Sequence, residues 1–247
     1  MIDTHAHLTS LDDADEAVER AAEAGVTRIL TVGTDLGDGR RALSLADRHD
    51  GVFAILGIHP HEAGMATADD VAELRDLLQH PKAVAVGETG LDWFRDYAPR
   101  DDQSRLFAAQ LELAAELGKP VAIHTRAADE DTLAGLADFT GIVVLHCFSS
   151  PRMLPLALER GWYVSFAGNA TFPKAVDLRL AATEVPTERI LVETDSPYLA
   201  PQPVRGRRNE PANVIHTVAA LARARSEDAA ELERQIERNA TECFSLP

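Results

Sequence analysis

Short apolar runs rich in β-branched residues alternate with amphipathic stretches along the whole chain, and this rhythm restricts the fold more than any other feature. Strands are predicted at Met1 to His5, Arg28 to Gly33, Val52 to Ile58, Ala83 to Glu88, Val121 to Thr125, Ile142 to Phe148, Trp162 to Phe166 and Ile190 to Asp195. The stretches between them carry helical spacing: Ala14, Ala17, Val18 and Ala21 share one face before Gly25, and Leu106, Leu111, Ala114 and Leu117 share another before Gly118. Both glycines stand where a helix C-terminus favours positive φ. Thr67, with Asp70 three residues on, predicts a helix start, and Pro99 suits a first helical position. Ser226 to Ala240, with Leu232 and Ile236 at helical spacing, predicts a terminal helix. Alternation of this kind implies parallel strands, and its repetition favours closure into a (β/α)8 TIM barrel over an open doubly wound sheet.

The length of 247 residues matches the roughly 250 usual for such a barrel. No linker or shift in composition marks a second domain, so residues 1–247 are expected to form one. A formal net charge of -16 disfavours a protein that coats nucleic acid or an anionic membrane through its overall field, because that field repels both. A phosphate-bearing substrate must therefore be held by local positive charge or by metal. Cys147 and Cys243 are far apart in sequence, and Cys147 lies inside an apolar run, which argues against a disulfide framework and for a reducing cytoplasm. No signal segment or membrane span is read in the sequence, and no obligate protein partner is evident.

Chemistry gathers at the C-terminal ends of the predicted strands, where His5, His7, Glu88, His124, His146 and Asp195 can all ligate a metal. In a barrel those ends converge on the face that carries active sites. Singly, each residue has an ordinary explanation: a core histidine with its hydrogen bonds satisfied, a surface carboxylate, or a turn cap at Asp195. Together they are hard to explain as accidents, since none is needed for folding and burying them unpaired is costly. The number of ligands exceeds what one catalytic zinc uses. Two ions sharing Glu88 fit better, one on His5, His7 and Asp195 and the other on His124 and His146. Mixed imidazole and carboxylate donors suit Zn, Mn or Fe, with Mg still admissible.

A second cluster follows the last strand, where Arg205, Arg207 and Arg208 make an acidic chain locally positive. Loops in this part of a barrel are a frequent phosphate site. Pairing with surface carboxylates is the plain alternative. Arg126, two residues past His124, and His59 in Gly57-Ile58-His59-Pro60 are expected to point toward the same mouth.

Asp3-Thr4-His5-Ala6-His7, Gly57-Ile58-His59-Pro60, Gly87-Glu88-Thr89-Gly90-Leu91-Asp92, His124-Thr125-Arg126, His146-Cys147-Phe148-Ser149, Ser196-Pro197-Tyr198-Leu199-Ala200-Pro201 and Arg205 to Pro211 resemble, in order, the motifs of the TatD family of metal-dependent deoxyribonucleases. The resemblance implies a (β/α)8 barrel, two divalent metal ions, and hydrolysis of phosphodiester bonds in DNA, commonly as a 3'-5' exonuclease active with Mg or Mn. It also implies His5, His7, Glu88, His124, His146 and Asp195 as the ligands. Two departures bear on specificity: Ser150 stands where the family usually has Gly, and Thr171-Phe172-Pro173-Lys174 replaces its Thr-Phe-Lys-Asn stretch.

The expected reaction is in-line attack on phosphorus by a metal-activated water. Asp195 and Glu88 are the catalytic carboxylates, with Asp195 orienting or deprotonating the water. Arg126, Arg205, Arg207 and Arg208 are the phosphate contacts, a role that suits the guanidinium fork, and His59 is a further substrate contact. Single strands or 3' ends of DNA are the expected substrate. The alternative is hydrolysis of a small ester, lactone or amide on the same centre, which would leave the arginine loop without a purpose.

Overall fold

The computed structural model describes residues 1–95 and 97–247. Eight parallel strands run in chain order: β1 (Ile2–Ala6), β2 (Arg28–Gly33), β3 (Val52–Leu56), β4 (Ala83–Asp92), β5 (Val121–Arg126), β6 (Val143–Leu145), β7 (Tyr163–Phe166) and β8 (Ile190–Val192). Helices alternate with them: α1 (Ala14–Glu23), α2 (Leu36–Arg48), α3 (Ala68–Leu77), α4 (Arg100–Leu117), α5 (Asp129–Gly135), α6 (Leu154–Glu159), α7 (Val176–Glu184) and α8 (Val214–Arg225), with α9 (Ala229–Phe244) last. This is the expected (β/α)8 TIM barrel order. Strands such as β1 and β3 are buried at every position, as parallel strands covered on both faces require. No helix among the described residues is long and apolar enough to cross a membrane.

The chain forms two compact units, Met1–Thr31 with His146–Pro247, and Val32–Leu145. In the first, β1 pairs with β2 and β7 with β8. The chain after β8 bonds to the end of β1, where the Asp195 N–H donates to the His5 carbonyl at 2.9 Å and the His7 N–H to the Ser196 carbonyl at 2.8 Å. Helix α9 starts on an Asp228 cap and buries Leu232, Ile236 and Phe244, each contributing about 1.5–3 kcal/mol of apolar burial. Its Asn239 amide donates to the carbonyls of Thr187 and Ile190, both at 2.8 Å, which ties the helix to the start of β8.

In the second unit β3, β4, β5 and β6 pair in that order. Thr67 and Asp70 form the capping box read in the sequence, and Gly118 closes α4 at φ 62°. Two buried glutamines of α4 hold the strand ends. Gln110 accepts from the Ile58 N–H at 2.8 Å and donates to the Thr89 hydroxyl at 2.8 Å, while Gln103 accepts from the Asp92 N–H at 2.9 Å.

Boundaries differ from the sequence expectation where the backbone leaves the ladder. β6 and β8 stop before His146 and Asp195, because Cys147 and Asp195 adopt left-handed conformations at φ 45° and 54°. β4 instead continues to Asp92. Pro99 is the cap before α4, which starts at Arg100.

Candidate metal centres

The first unit gathers His5, His7, His146 and Asp195. His5 and His146 stack with ring centroids 3.8 Å apart, and His7 meets His5 edge-on at 5.2 Å. The His7 Nε2 lies 3.3 Å from an Asp195 carboxylate oxygen. Donor atoms of His5, His146 and Asp195 all lie within 4.8 Å of one another, a spacing that small side-chain adjustments close onto one ion at about 2.0–2.2 Å. Burial works against charge on Asp195, but the hydrogen bond from His7 and the neighbouring imidazoles outweigh it and hold the carboxyl below its ordinary range. Asp195 is thus a carboxylate at neutral pH.

Two buried carboxylates that the sequence reading left without roles support this cluster. Glu193, fully buried, accepts from the Cys147 N–H at 2.8 Å and meets His146 Nδ1 at 2.9 Å. A carboxylate on Nδ1 fixes the imidazole tautomer and leaves Nε2 for a metal. The other Glu193 oxygen is buried with no hydrogen-bond partner among the described residues. Asp3 accepts from the Thr194 N–H at 2.9 Å and its hydroxyl at 2.5 Å, and from the His5 N–H at 3.3 Å. Burial pushes the Asp3 carboxyl up to about 8 against these bonds. Both residues stand two positions before a predicted ligand, on the same side of an ideal strand, and that spacing was the available signal.

The second unit gathers Glu88, Asp92, His59, His61 and His124. His124 meets a Glu88 oxygen through Nδ1 at 2.5 Å and an Asp92 oxygen through Nε2 at 3.3 Å. His61 Nε2 lies 2.8 Å from the same Asp92 oxygen, and His59 Nε2 lies 3.4 Å from Glu88. Donor atoms of His59, His61 and His124 lie within 4.8 Å of one another. The His59 Nδ1 accepts the His61 backbone N–H at 3.1 Å, so in its neutral form His59 carries its proton on Nε2. Burial, only partly offset by Glu88, lowers the His59 pKa to about 4 and keeps the ring neutral. Burial opposes charge on Asp92 too, yet bonds from His124, His61 and the Arg95 N–H hold its carboxyl well below the usual range. His61 and Asp92 had no assigned role; His-Pro-His and the closing Asp of Gly-Glu-Thr-Gly-Leu-Asp were the signals.

Backbone irregularity aims these ligands. Between β4 and β5, Gly87 pairs with Ala122 but Thr89 with Ile123, which leaves Glu88 as the extra residue of a bulge. The β1 register likewise shifts between Asp3 and Ala6, across His5. Gly90 lets the strands meet: at φ 141°, an added Cβ would stand 2.0 Å from the His124 carbonyl oxygen. Ala127 and Cys147 take positive φ just past strand ends, and Asp195 and Leu199 do so in the segment after β8. Each such residue costs about 1–3 kcal/mol, strain that persists where surrounding contacts over-determine it, commonly at active sites.

Of the expected substrate contacts, His59 lies in the second cluster. Arg126 is exposed with its guanidinium 4.1 Å from the Phe94 ring centroid. In the first unit, the Asn209 amide donates to the carbonyls of Thr194 at 2.9 Å and Tyr198 at 2.7 Å, and so anchors the arginine loop beside Asp195. Arg205 lies 3.8 Å from the Phe172 ring centroid, Arg207 is exposed, and Arg208 pairs with Asp12 at 2.7 Å and with the Ser10 carbonyl. Asp12 is 95% exposed, so that pair contributes little.

Imidazole and carboxylate donors gathered at the C-terminal ends of (β/α)8 strands fit divalent ions and define a metal-dependent hydrolase. The family profile described as "TatD related DNase" matches residues 2–245. The chain belongs to the TatD family. It is 36% identical to an uncharacterized metal-dependent hydrolase, YabD, of Bacillus subtilis, covering 100% of this chain and 99% of that one. It is 38% identical to the 3'-5' ssDNA/RNA exonuclease TatD of Erwinia billingiae, covering 100% of both. The crystal structure of YJJV, a TatD homologue from Escherichia coli K12, superposes with a TM-score of 0.94 at 30% identity, covering 100% of this chain and 98% of that one.

Proposed function

We propose that this hydrolase cleaves phosphodiester bonds in DNA as a cytoplasmic 3'-5' exodeoxyribonuclease acting on single strands or 3' ends. The observation that carries the reading is the arginine loop anchored by Asn209 beside Asp195: local positive charge next to a ligand cluster in a chain of net charge -16. The relatives named as single-strand exonucleases support it.

Two divalent ions are proposed, held among His5, His7, Glu88, His124, His146 and Asp195, with Mg or Mn for turnover and Zn, Mn or Fe also suited to the donors. When bound, such ions polarise a phosphoryl oxygen and lower the pKa of water toward about 7. Asp195, held as a carboxylate, orients the attacking water and takes its proton. Glu88 lies 2.5 Å from His124 Nδ1 and 3.4 Å from His59 Nε2 and orients both rings. Arg205, Arg207 and Arg208 are the phosphate contacts beside the first cluster, and Arg126 and His59 are substrate contacts beside the second. A new bond forms between water oxygen and phosphorus, the bond from phosphorus to the 3' oxygen breaks, and that oxygen takes a proton from solvent. Asp195→Asn tests the assignment on a 3'-labelled single strand: a fall of about 10²-fold or more in kcat with the fold intact is expected, and full activity would overturn it.

A further inference from the structure

The loop after β4 carries aromatic rings that neither the core nor the ligand clusters use. Phe94 and Tyr97 are 62% and 64% exposed, although an aromatic side chain gains most by being covered. The loop is held by the second cluster itself: one Asp92 oxygen accepts the N–H groups of Phe94 and Arg95 at 2.9 and 2.8 Å, while the other meets His61 and His124. Tyr97 stands edge-on to the His61 ring at 4.8 Å. Arginines interleave with the rings. Arg126 lies 4.1 Å from the Phe94 centroid, Arg95 lies 5.8 and 5.9 Å from Phe94 and Tyr97, and Arg100 lies 4.7 Å from Trp93.

We propose that Phe94 and Tyr97 form a stacking platform for the bases of a single-stranded nucleic acid, with Arg95 and Arg126 tracking its backbone. The inference rests on the nuclease reading above and names how that substrate is held. Exposed rings flanked by guanidinium groups are what sequence-tolerant single-strand binding uses, because every base offers a π-face. The -16 net charge makes the whole molecule repel a polyanion, so retention has to come from short-range contacts of this kind. Two rings are too small a patch for a stable protein interface, which covers about 800 Å² on each partner. Their fixed link to Asp92 and His61 also places them where a strand engaged at that cluster would pass.

The test crosses two changes. Phe94→Ala with Tyr97→Ala is compared with the wild type on a single-stranded oligonucleotide, and on the same strand whose last three 3' nucleotides carry tetrahydrofuran in place of base. With Mn2+ present, the double variant loses about 5- to 150-fold in kcat/KM, mainly through KM, on the strand with bases. It loses far less on the strand without them, and Phe94→Trp recovers activity where Phe94→Leu does not. Equal losses on both strands, or equal recovery by Leu and Trp, would overturn the platform. Quenching of a 2-aminopurine single strand needs no turnover and separates the two readings. If the wild type cuts no strand, the nuclease reading fails, while quenching lost in the double variant still supports the platform and equal quenching in both proteins refutes it.

Discussion

Replacing Glu193 with Gln probes the support beneath the first metal cluster. One Glu193 oxygen holds both the Cys147 N–H at 2.8 Å and the His146 ring at 2.9 Å, in a place with no solvent access. Glutamine keeps the shape and one acceptor oxygen but removes the charge. Charge-assisted bonds contribute about 1.5–3 kcal/mol and neutral ones about 1, so the imidazole loses about 1–2 kcal/mol of the preference that keeps Nε2 available as a ligand. That is about 5- to 30-fold in affinity for Mn2+, overlapping the 10- to 100-fold typical of lost support behind a metal ligand. The assay is calorimetric titration of metal-free protein with Mn2+, alongside the Mn2+ dependence of kcat. One of the two ion affinities should fall while the circular dichroism spectrum stays that of the wild type. Two affinities unchanged within twofold would refute the role given to Glu193, and with it the placing of His146 as a ligand.

Gly90→Ala sets a Cβ against the His124 carbonyl at a φ reserved for glycine, combining overpacking and backbone strain of about 1–3 kcal/mol each. A Tm lowered by about 5–20 °C is expected, and a loss below 2 °C would contradict the close approach of β4 and β5. Glu237 is half-buried; burial opposes its charge, but Arg28 and the chain's N-terminal amine outweigh it and depress its pKa below 4.5. Its stabilisation is therefore present above pH 4.5 and fades as pH falls through the folded value. Glu237→Gln should lower Tm by about 2–4 °C at pH 7 and by nothing in strong acid, and a difference that persists there would refute the pairing.

The fold was legible because its evidence is periodic. Runs of β-branched residues and helical faces such as Leu106, Leu111 and Ala114 repeat around the chain, and caps at Thr67 and Gly118 confirm the phase. Ligand types were legible too, since histidines and carboxylates recur at strand ends. Local backbone geometry was not. Nothing in Gly87-Glu88-Thr89 announces that Glu88 is the extra residue of a bulge. The end of β8 three residues early depends on a left-handed Asp195, which glycine would ordinarily signal. Supporting groups were missed for a related reason. Asp3, Gln103, Gln110 and Glu193 act through bonds that composition does not record, and only the two-residue spacing of Asp3 and Glu193 before a ligand gives a sign of them.

The central proposal is that divalent ions bound by His and carboxylate ligands drive hydrolysis at a 3' end. Adding Mn2+ stepwise to metal-free protein, with bound ion and release of nucleotides from a 3'-labelled single strand measured on the same samples, tests this most directly. The account predicts no hydrolysis without ion, two ions bound per chain, and 5'-nucleotides released one by one from the 3' end. Undiminished hydrolysis in metal-free protein, saturation at a single ion, or no nucleotide release at full occupancy would contradict it.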